Sequence, residues 1–368
     1  MPPSTCATRS AVPVRHTTAF APGRVNVIGE HTDYNEGLAL PFAIEQGVTV
    51  RAVASSGEDA DAGRIEALAL DLDERDSFLI GDLDRARPAE GWRSFVRGAV
   101  AELAAAGHAP PGAHLEISGD VPRGGGLSSS AALTVALCLA LLELGPGPIE
   151  DPVELARLCS RVENEWTGAR TGLLDQLASL CGARDAALLI DFRSLEIERV
   201  PLLLGDWRFA IVDSGERHSH ATSGYNERRE ECARACELLG VCSLRDATFA
   251  QLSELPEPLA RRARHVLEEN ERVVAAVRAV EAHDMDALAQ LLNASHASLR
   301  ELYEISTPAV EEAVERMLLA GAAGARLIGG GFGGSVLGLF GPGAQPPSDA
   351  IAVAPGPGAE AHDGPRAG

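Results

Sequence analysis

The sequence predicts an α+β protein with two domains, and three observations support this prediction. The chain has 368 residues, of which 45% are hydrophobic, so it exceeds the length at which a single core usually stops growing. Short apolar stretches alternate in the manner of strands in the first third, at residues 25–28 and 47–54. Residues 227–303 instead repeat their apolar positions mainly at helical spacing. We place the boundary between the domains at residue 190.

Further helix and strand signals follow in order along the chain. Asp151 and Pro152 begin a helix, because the carboxylate caps free N–H groups and proline suits the first helical position. The same kind of signal, Thr307 before Pro308, begins a later helix. The remaining predictions are helices at 92–107, 131–142, 151–167, 227–239, 260–282 and 285–303, and strands at 113–118, 187–192, 208–213 and on both sides of 329–334. Residues 1–20 are expected to be irregular, and the Gly-, Pro- and Ala-rich tail from 341 partly disordered.

The charge of the chain excludes several classes of function. Thirty-two basic against 53 acidic residues give a formal charge of −21, which repels nucleic-acid phosphates and anionic lipid. We therefore expect no nucleic-acid partner and no membrane partner. The sequence contains no lysine, so P-loop, protein-kinase and Schiff-base lysines are excluded. Any phosphate chemistry must use arginine, backbone N–H groups and a metal ion.

Cysteine usage and hydropathy indicate a cytoplasmic protein. The seven cysteines are odd in number and include no CxxC pair, which is unlike a disulfide framework. The longest apolar run, residues 131–142, is too short to cross a bilayer, which needs ~20 residues. The first residues, MPPSTCATRS, lack the apolar region of a secretory signal.

The first polar motif is APGRVNVIGEHTDYNEG, residues 21–37. A strand-like segment here delivers several polar side chains into one short turn, namely Arg24, Asn26, Glu30, His31, Asp33 and Asn35. Sugar hydroxyls both donate and accept hydrogen bonds, so carboxylates and an imidazole that converge from one loop suit a polyhydroxylated ligand. A solvated turn with a capping aspartate is the competing interpretation.

The second motif, DVPRGGGLSSSAAL at residues 120–133, is a glycine loop followed by serines and an apolar helix. Glycines let the backbone approach a polyphosphate, and the start of a helix directs free N–H groups and a positive dipole end towards it. Serine hydroxyls there can cap the helix or ligate Mg²⁺. A plain Gly/Ser linker is the competing interpretation.

The third and fourth motifs are residues 163–182 and 326–340. In the third, Asp175 lies in the apolar setting LLDQLASL, where it must find a partner or shift its pKa. Such an aspartate suits a base that activates a hydroxyl, with Arg24 as the candidate that keeps it ionised; a helix N-cap is the alternative. The fourth, RLIGGGFGGSVLGLF, predicts close backbone approach to a ligand or a tight hairpin.

Together these residues resemble the GHMP small-molecule kinases, and within them the galactokinase branch. GRVNVIGEHTDYNEG is similar to the galactokinase signature, GGGLSSSAAL to the family's phosphate loop and LIGGGFGGS to its third motif. The segments ENEWTG, GLLDQ, SGYNERREEC, RARHVLEEN and SHASLRELYEIS follow in the expected order. The resemblance covers residues 19–340.

The resemblance implies a two-domain GHMP-kinase-like α+β fold with the active site between the domains. Residues 1–190 would form a domain like ribosomal protein S5 that binds sugar and phosphate, and residues 191–368 the C-terminal GHMP kinase domain. The implied reaction transfers the γ-phosphoryl group of ATP, with Mg²⁺, to the anomeric hydroxyl of D-galactose. The expected partners are the small-molecule sugar and ATP, and the expected state is a monomer or weak oligomer.

The resemblance also implies roles for particular residues. Asp175 would be the catalytic base, and Arg24 would stabilise charge in the transition state. Sugar contacts would come from Arg24, Glu30, His31, Asp33, Gly172, Asp175 and Tyr225. Nucleotide contacts would come from Trp92, which lines the adenine pocket, and from Gly124, Gly125, Gly126, Leu127, Ser128, Ser129 and Ser130, which surround the phosphates. Ser130 and Glu163 would hold Mg²⁺.

The sequence departs from the family in three places. The leader is shorter, Thr134 stands where galactokinases often have glutamate, and the stretch after Phe340 lacks a helix and a strand. Residues 350–361 are interpreted as a remnant of the terminal strand, and the missing edge would expose apolar surface in the second domain.

Three alternatives stay open. The substrate could be a related sugar such as N-acetylgalactosamine, arabinose or galacturonate. The protein could be a catalytically silent sensor of sugar and ATP, although the intact SSSAA stretch favours catalysis. The shortened tail could also prevent stable folding.

Overall fold

The computed structural model describes residues 15–56, 62–85, 89–122, 126–145, 147–168, 171–216 and 221–364. The strands are β1 (His16–Asn26), β2 (Leu38–Ala39), β3 (Pro41–Ala54), β4 (Arg64–Ala69), β5 (Glu74–Leu79), β6 (Ala113–Gly119), β7 (Ala186–Asp191), β8 (Ile197–Pro201), β9 (Arg208–Asp213), β10 (Ala322–Ile328), β11 (Ser335–Phe340), β12 (Ile351–Val353) and β13 (Glu360–Asp363). The helices are α1 (Trp92–Ala105), α2 (Ser129–Leu144), α3 (Pro152–Trp166), α4 (Leu174–Cys181), α5 (Ala221–Leu239), α6 (Leu259–Glu281), α7 (Met285–Ser298) and α8 (Pro308–Leu319).

Strands β1, β3, β4, β5 and β6 of the first half, together with β13 from the end of the chain, form a six-stranded sheet in the order β13-β1-β3-β6-β4-β5. β6 pairs with β4 in parallel, and the other neighbouring strands of this sheet are antiparallel. α1, α2 and α3 pack apolar side chains against this sheet, and α2 is buried along most of its length. Because α2 is apolar on all sides, its sequence can only be accommodated inside the core. The first turn of α2 is therefore fixed firmly in position.

The second half builds a four-stranded antiparallel sheet in the order β10-β11-β9-β12, with α6, α7 and α8 contacting it or the core beside it. A shared core joins the two halves: Val25, Val27 and Ile28, at the end of β1 and just after it, pack among side chains of β9, β11 and α6. A smaller sheet, β2-β7-β8, lies beside α4. The end of β1 thus enters the region where the two halves meet.

The tail after Phe340 differs from the sequence prediction. Over residues 341–364 it is ordered and contains two strands: β12 pairs with β9, and β13 returns to pair with β1. Residues 350–361 contain β12 and the first two residues of β13, and the expected disorder is wrong for the described residues. Gly356 and Gly358 explain the composition, because a Cβ at Gly356 would lie 2.6 Å from the carbonyl carbon and oxygen of Ile44 and one at Gly358 2.7 Å from Leu180 O. These glycines permit close packing of the tail against the first half.

Most of the other predicted elements are present with small boundary shifts. The strand at 208–213 and the helix starts at Pro152 and Pro308 agree with the structure. The irregular leader is wrong from His16 onward, because β1 begins there and pairs with β3; residues 1–14 lie outside the described residues. The helix predicted at 285–303 ends at Ser298, and a wider helical turn follows at Leu299–Tyr303. Over the described ranges, no helix has the length and apolar character needed to cross a membrane.

Candidate active site

An ion pair links the end of β1 to the start of α4. The register of β1 shifts between Pro22 and Arg24, and such a bulge redirects the side chains that follow it. The guanidinium of Arg24 donates from Nε to Asp175 Oδ1 over 2.8 Å and approaches the same oxygen with Nη2 at 2.6 Å. Its third nitrogen, Nη1, donates to the carbonyl of Gly126 at 2.5 Å. Arg24 therefore holds Asp175 against the loop that precedes α2.

The second carboxylate oxygen of Asp175 accepts a hydrogen bond from the Ser128 hydroxyl. Ser128 directly precedes α2 and has a left-handed backbone, φ 57° and ψ 47°. The side chain of Asp175 is 21% exposed, so it is accessible although two partners hold it. A carboxylate oxygen that accepts one hydrogen bond keeps a lone pair for another, so Asp175 can still accept a proton.

A small cavity of about 150 Å³ opens beside this ion pair. Its walls contain every residue predicted to contact sugar and four others; the full set is Arg24, Glu30, His31, Asp33, Thr171, Gly172, Leu174, Asp175, Tyr225, Gly329 and Gly330. The structure therefore brings together side chains from distant parts of the sequence. Their donors and acceptors suit a ligand that carries several hydroxyls.

Glu30 is held in this wall by both halves of the protein. Its Oε2 accepts from Asn26 Nδ2 at 2.7 Å, and its Oε1 accepts from the backbone N–H of Gly329 at 2.8 Å. Arg326 Nη2 lies 3.4 Å from Oε1. Burial raises the pKa of Glu30, while the charges of Arg326 and Arg24 oppose that rise.

Asp33 and Gly172 lie directly against each other in the cavity wall. A Cβ at Gly172 would lie only 1.8 Å from Asp33 Oδ2, so no larger residue fits without displacing that carboxylate. Burial, and secondarily the nearby Asp175 carboxylate, raise the pKa of Asp33 to about 6. Gly172 contributes space and close backbone approach rather than a side chain.

His31 supplies an imidazole to the same cavity. Its Nδ1 lies 2.7 Å from the Tyr34 hydroxyl, and its Nε2 is buried with no hydrogen-bond partner in the described part of the chain. Burial lowers the pKa of His31 to about 3, so the ring is neutral near pH 7. The ring of Tyr225 lies 5.2 Å from that of His31, centroid to centroid.

A larger groove of about 600 Å³ lies on the other side of the start of α2. It is lined mainly by the first sheet, by the start of α1 and by Ser129 and Ser130. Trp92 lies in its wall, and the indole Nε1 donates to Glu74 Oε2 over 2.8 Å. Of the predicted phosphate loop, Gly126 to Ser130 are described, whereas Gly124 and Gly125 lie outside the described residues.

Glu163 of α3 lies between the groove and the cavity. Its Oε2 accepts from Thr171 Oγ1 at 3.0 Å and from Gln176 Nε2 at 2.9 Å, while Oε1 is buried without a partner within the described ranges. The nearby Ser130 hydroxyl favours the ionised form of this carboxylate. Burial, and then the Asp175 charge, raise the pKa of Glu163 to about 7. A buried, incompletely paired carboxylate beside a hydroxyl is a fitting donor set for a hard cation.

Sequence reasoning missed the residues that support the cavity from behind. Arg326 is fully buried and donates to the carbonyls of Asn26 and Val27 at 3.2 and 2.8 Å. Glu269, also fully buried, accepts from the Gly29 N–H at 3.0 Å. The usable signal was the charge itself, since an arginine or glutamate inside an apolar segment must find a partner in the fold. The sequence alone does not say which partner.

Comparison with known proteins places the chain in a family. Family models match residues 10–53 (galactokinase galactose-binding signature), 94–183 (GHMP kinases N terminal domain) and 276–355 (GHMP kinases C terminal). Galactokinase from Actinobacillus succinogenes is 41% identical over 332 residues, 87% of this chain and 84% of that protein. Galactokinase from Mycobacterium tuberculosis is 44% identical over 327 residues, 87% of each chain.

Solved structures agree with this placement. The crystal structure of Lactococcus lactis galactokinase complexed with galactose superimposes with a TM-score of 0.83 at 30% identity and covers 95% of each chain. A mevalonate kinase structure aligns with a TM-score of 0.64 at 20% identity over 88% of this chain and 91% of that one, which supports the fold alone.

The fold, the phosphate-loop helix and the motifs therefore define a GHMP kinase, a phosphotransferase that acts on a small molecule. The prediction of a two-domain α+β GHMP-kinase fold is confirmed. Within that class the chain belongs to the galactokinase family, because its galactokinase relatives are 41–44% identical over most of their length.

Proposed function

We propose that this chain transfers the γ-phosphoryl group of ATP to the anomeric hydroxyl of D-galactose, which gives galactose 1-phosphate and ADP. One observation carries the proposal: Asp175, held by Arg24 and Ser128, lies where the small polar cavity meets the start of α2. A base at that junction reaches the sugar on one side and the transferred phosphoryl group on the other. The family relationship supports the same reaction.

The cavity walls bind and orient the sugar in this proposal. Glu30, His31, Asp33, Gly172 and Tyr225 contact its hydroxyls and ring, and Asp175 accepts the proton of the attacking hydroxyl. Arg24 compensates the negative charge that spreads over the phosphoryl oxygens. Its bond to the Gly126 carbonyl keeps the phosphate loop and the base at a fixed separation.

The larger groove holds ATP in the proposal. Trp92 stacks on or borders the adenine, and the phosphates lie on the loop of Gly124, Gly125, Gly126, Leu127, Ser128, Ser129 and Ser130. The N-terminal end of α2 supports this placement, because its free N–H groups and positive dipole end attract phosphate. A chain with a formal charge of −21 needs such a local device to hold an anion.

Ser130 and Glu163 would hold Mg²⁺. The unpaired Oε1 of Glu163 and the adjacent Ser130 hydroxyl are oxygen ligands of the kind that Mg²⁺ prefers. When bound with ATP, Mg²⁺ would supply positive charge that offsets the negative charge of the phosphates. Glu163 must be ionised to serve, so cation binding competes with the proton that its raised pKa favours.

The proposal also includes the division into a sugar- and phosphate-binding part, residues 1–190, and a GHMP kinase part, residues 191–368. Tyr225 and the turn at residues 329–334 then approach the cavity from the second part. We further propose that the protein acts in the cytoplasm on sugar and ATP alone, as a monomer or weak oligomer, with no nucleic-acid or membrane partner.

A coupled assay of ADP release over a sugar panel tests the proposal. The panel contains D-galactose, N-acetylgalactosamine, L-arabinose, galacturonate and D-glucose, each at saturating Mg-ATP. Galactose is expected to give the highest kcat/KM. Fast turnover of another sugar beside poor turnover of galactose would overturn the substrate, and absence of turnover with all five would overturn the kinase activity. A thermal melt with and without ligands shows whether the protein used is folded, since ligands that bind the native state raise Tm.

A further inference from the structure

The turn at residues 29–38 carries three of the side chains that line the small cavity, namely Glu30, His31 and Asp33. The two ends of this turn lie side by side, since a Cβ at Gly29 would lie 2.6 Å from Leu38 O. The Thr32 hydroxyl also lies 2.8 Å from Gly29 O and 2.7 Å from Leu38 O. The positions of the three cavity side chains therefore depend on how the base of the turn is held.

Glu269 of α6 holds the first end of the turn. Its Oε1 accepts from the backbone N–H of Gly29 at 3.0 Å. The carboxylate is itself fixed in place, because Ser295 Oγ donates to Oε1 at 2.7 Å and Arg272 Nε donates to Oε2 at 2.7 Å. Glu269 is also fully buried, so water does not compete for these donors. The first end of the turn is thus bound to a rigid acceptor.

Asn270, the next residue of α6, holds the second end. Its Oδ1 accepts from the backbone N–H of Leu38 at 2.8 Å. A backbone N–H can only donate, so the carboxamide turns its oxygen towards the turn. Gly37 leaves room for this contact, because a Cβ there would lie 2.5 Å from the same oxygen. Consecutive helix residues point about 100° apart, so a single turn of α6 reaches both ends.

A third contact from α6 comes from the buried ring of His265. Its Nε2 lies 3.2 Å from the carbonyl oxygen of Glu30, and a carbonyl can only accept, so Nε2 is the donor. The three contacts, made by His265, Glu269 and Asn270, span 235, 240 and 232 residues of sequence. None of these three side chains lines the cavity. A helix from the second half of the chain therefore holds the backbone of a turn from the first.

We propose that His265, Glu269 and Asn270 are positioning residues, which set the affinity for the sugar without touching it. They hold both ends of the turn at residues 29–38, so that the side chains between those ends converge on the cavity. The proposal rests on the proposed function and deepens it. Release of one end lets the turn move away from the rest of the wall, and the hydrogen bonds to the sugar then lengthen.

A positioning role and a purely stabilising role of these contacts have different consequences. Hydrogen bonds weaken once the donor and acceptor are more than about 3.2 Å apart, so a small displacement of the turn is enough to weaken sugar binding. The groove beside Trp92 contains no residue of the turn in its wall, so its affinity for ATP should not change. A contact that only stabilises the fold lowers Tm and leaves both KM values of the folded protein unchanged.

Substitutions of the half-buried Asn270 test the proposal. Asn270→Ala removes the acceptor for the Leu38 N–H and is expected to raise KM for galactose about 5-fold. Its kcat and its KM for ATP are expected to stay within about twofold of the wild-type values. Asn270→Asp keeps an oxygen that accepts from the same N–H, so its KM for galactose is expected to stay near the wild-type value. Asn270→Ser, whose hydroxyl is too short to reach Leu38, replaces Asn270→Ala if that variant does not fold.

Asn293→Ala is the matched control. Asn293 of α7 is also half-buried, and its Oδ1 accepts from the Ala325 N–H at 2.9 Å, away from the turn. This variant is expected to lower Tm about as much as Asn270→Ala does, without a change in either KM. Amide hydrogen exchange of the peptide that contains Leu38 is also measured, on the ligand-free proteins. Exchange in this peptide is expected to be faster than in the wild type for Asn270→Ala, and unchanged for Asn270→Asp and Asn293→Ala.

Three results would overturn the inference. They are an unchanged galactose KM in folded Asn270→Ala, equal galactose KM values for Asn270→Ala and Asn270→Asp, and an equal rise of the galactose KM in Asn293→Ala. Wild-type protein that turns over no galactose would count against the proposed function instead. The exchange rates require no turnover, so they would still show whether Asn270 holds the turn.

Discussion

The two proposed ligand-binding regions of this protein differ in size, polarity and support. The cavity beside Asp175 has a volume of about 150 Å³ and is walled by buried charged or polar groups such as Glu30 and His31. The groove beside Trp92 has a volume of about 600 Å³ and a wall that includes Val48, Leu72 and Ile117. The cavity can discriminate through hydrogen bonds that fail if one ligand atom changes, whereas the groove recognises mainly shape and apolar area.

The two regions also differ in the contacts that support their walls from behind. Hydrogen bonds that link distant parts of the chain hold the cavity, among them Gly329 N–H to Glu30 and Gly29 N–H to Glu269. The groove depends on the β4–β5 hairpin and partly exposed ion pairs such as Arg93 with Glu74, which contribute little individually. We therefore expect substitutions in the cavity to be costly and specific for sugar, and substitutions in the groove to be milder and specific for nucleotide.

Asp175→Asn should have the largest effect, because it removes the proposed base at the junction of the two regions while keeping the shape of the side chain. We expect kcat to fall about 10²- to 10⁴-fold, the range for loss of general-base catalysis, with ATP affinity nearly unchanged. Steady-state kinetics and nucleotide titration measure the two quantities. Asp151→Asn is the control, since Asp151 caps α3 without lining the cavity and asparagine caps equally well. Turnover near the wild-type value would remove Asp175 from the base role.

The contrast between the regions also explains what could be predicted from sequence. Local motifs carry the cavity side chains: Glu30, His31 and Asp33 lie within four residues of one another, so the cluster could be found. The groove wall comes from β3, β4, β6 and α1, whose apolar residues resemble any core, and Trp92 was placed there only by resemblance. Support from behind, by Arg326 against Val27 and by Tyr303 against Tyr34, depends on contacts that span 299 and 269 residues of sequence.

The fold was predictable for a related reason. α2 is apolar on all sides and β9 is short and buried, so their patterns allow few alternatives. The tail was misjudged because glycine and proline favour both disorder and close packing, and composition does not distinguish the two. Only the pairing of β12 with β9 and of β13 with β1 resolves that ambiguity.

Gly172→Ala should have the next largest effect and tests how tightly the cavity is built. Its Cβ would lie 1.8 Å from Asp33 Oδ2, so the Asp33 carboxylate must move from its place in the wall. We expect KM for galactose to rise about 10-fold, the cost of one or two lost hydrogen bonds, while KM for ATP stays within about twofold. Gly81→Ala is the control, because nothing lies within 4 Å of a Cβ there. Equal rises in both KM values would show that the two regions are not separable in this way.

Trp92→Ala tests the groove and should have a smaller effect, which falls on ATP and not on galactose. Loss of the indole surface is expected to raise KM for ATP about 5-fold, with KM for galactose unchanged. Trp92→Phe keeps an aromatic face and loses only the hydrogen bond to Glu74, so it should retain most of the affinity. A change in galactose KM that exceeds the change in ATP KM would contradict the assignment of this groove to the nucleotide.

Substitution of Glu163, which lies between the two regions, should produce the smallest effect. It is expected to change how the stability of the ligand-free protein depends on pH. Burial raises its folded-state pKa to about 7, against 4.5 in the unfolded chain. Between these values the folded protein retains a proton that the unfolded chain has released, so stability is lost as the pH rises through about 7. Glu163→Gln removes this titration while leaving the opposing contributions of His31 and His265 in place. The wild-type Tm minus the Glu163→Gln Tm should therefore fall by roughly a few degrees from pH 5 to pH 8. Glu165→Gln, at an exposed position on the same helix, should give a curve of Tm against pH that is parallel to that of the wild type. A parallel curve for Glu163→Gln as well would contradict the burial of an incompletely paired carboxylate at position 163.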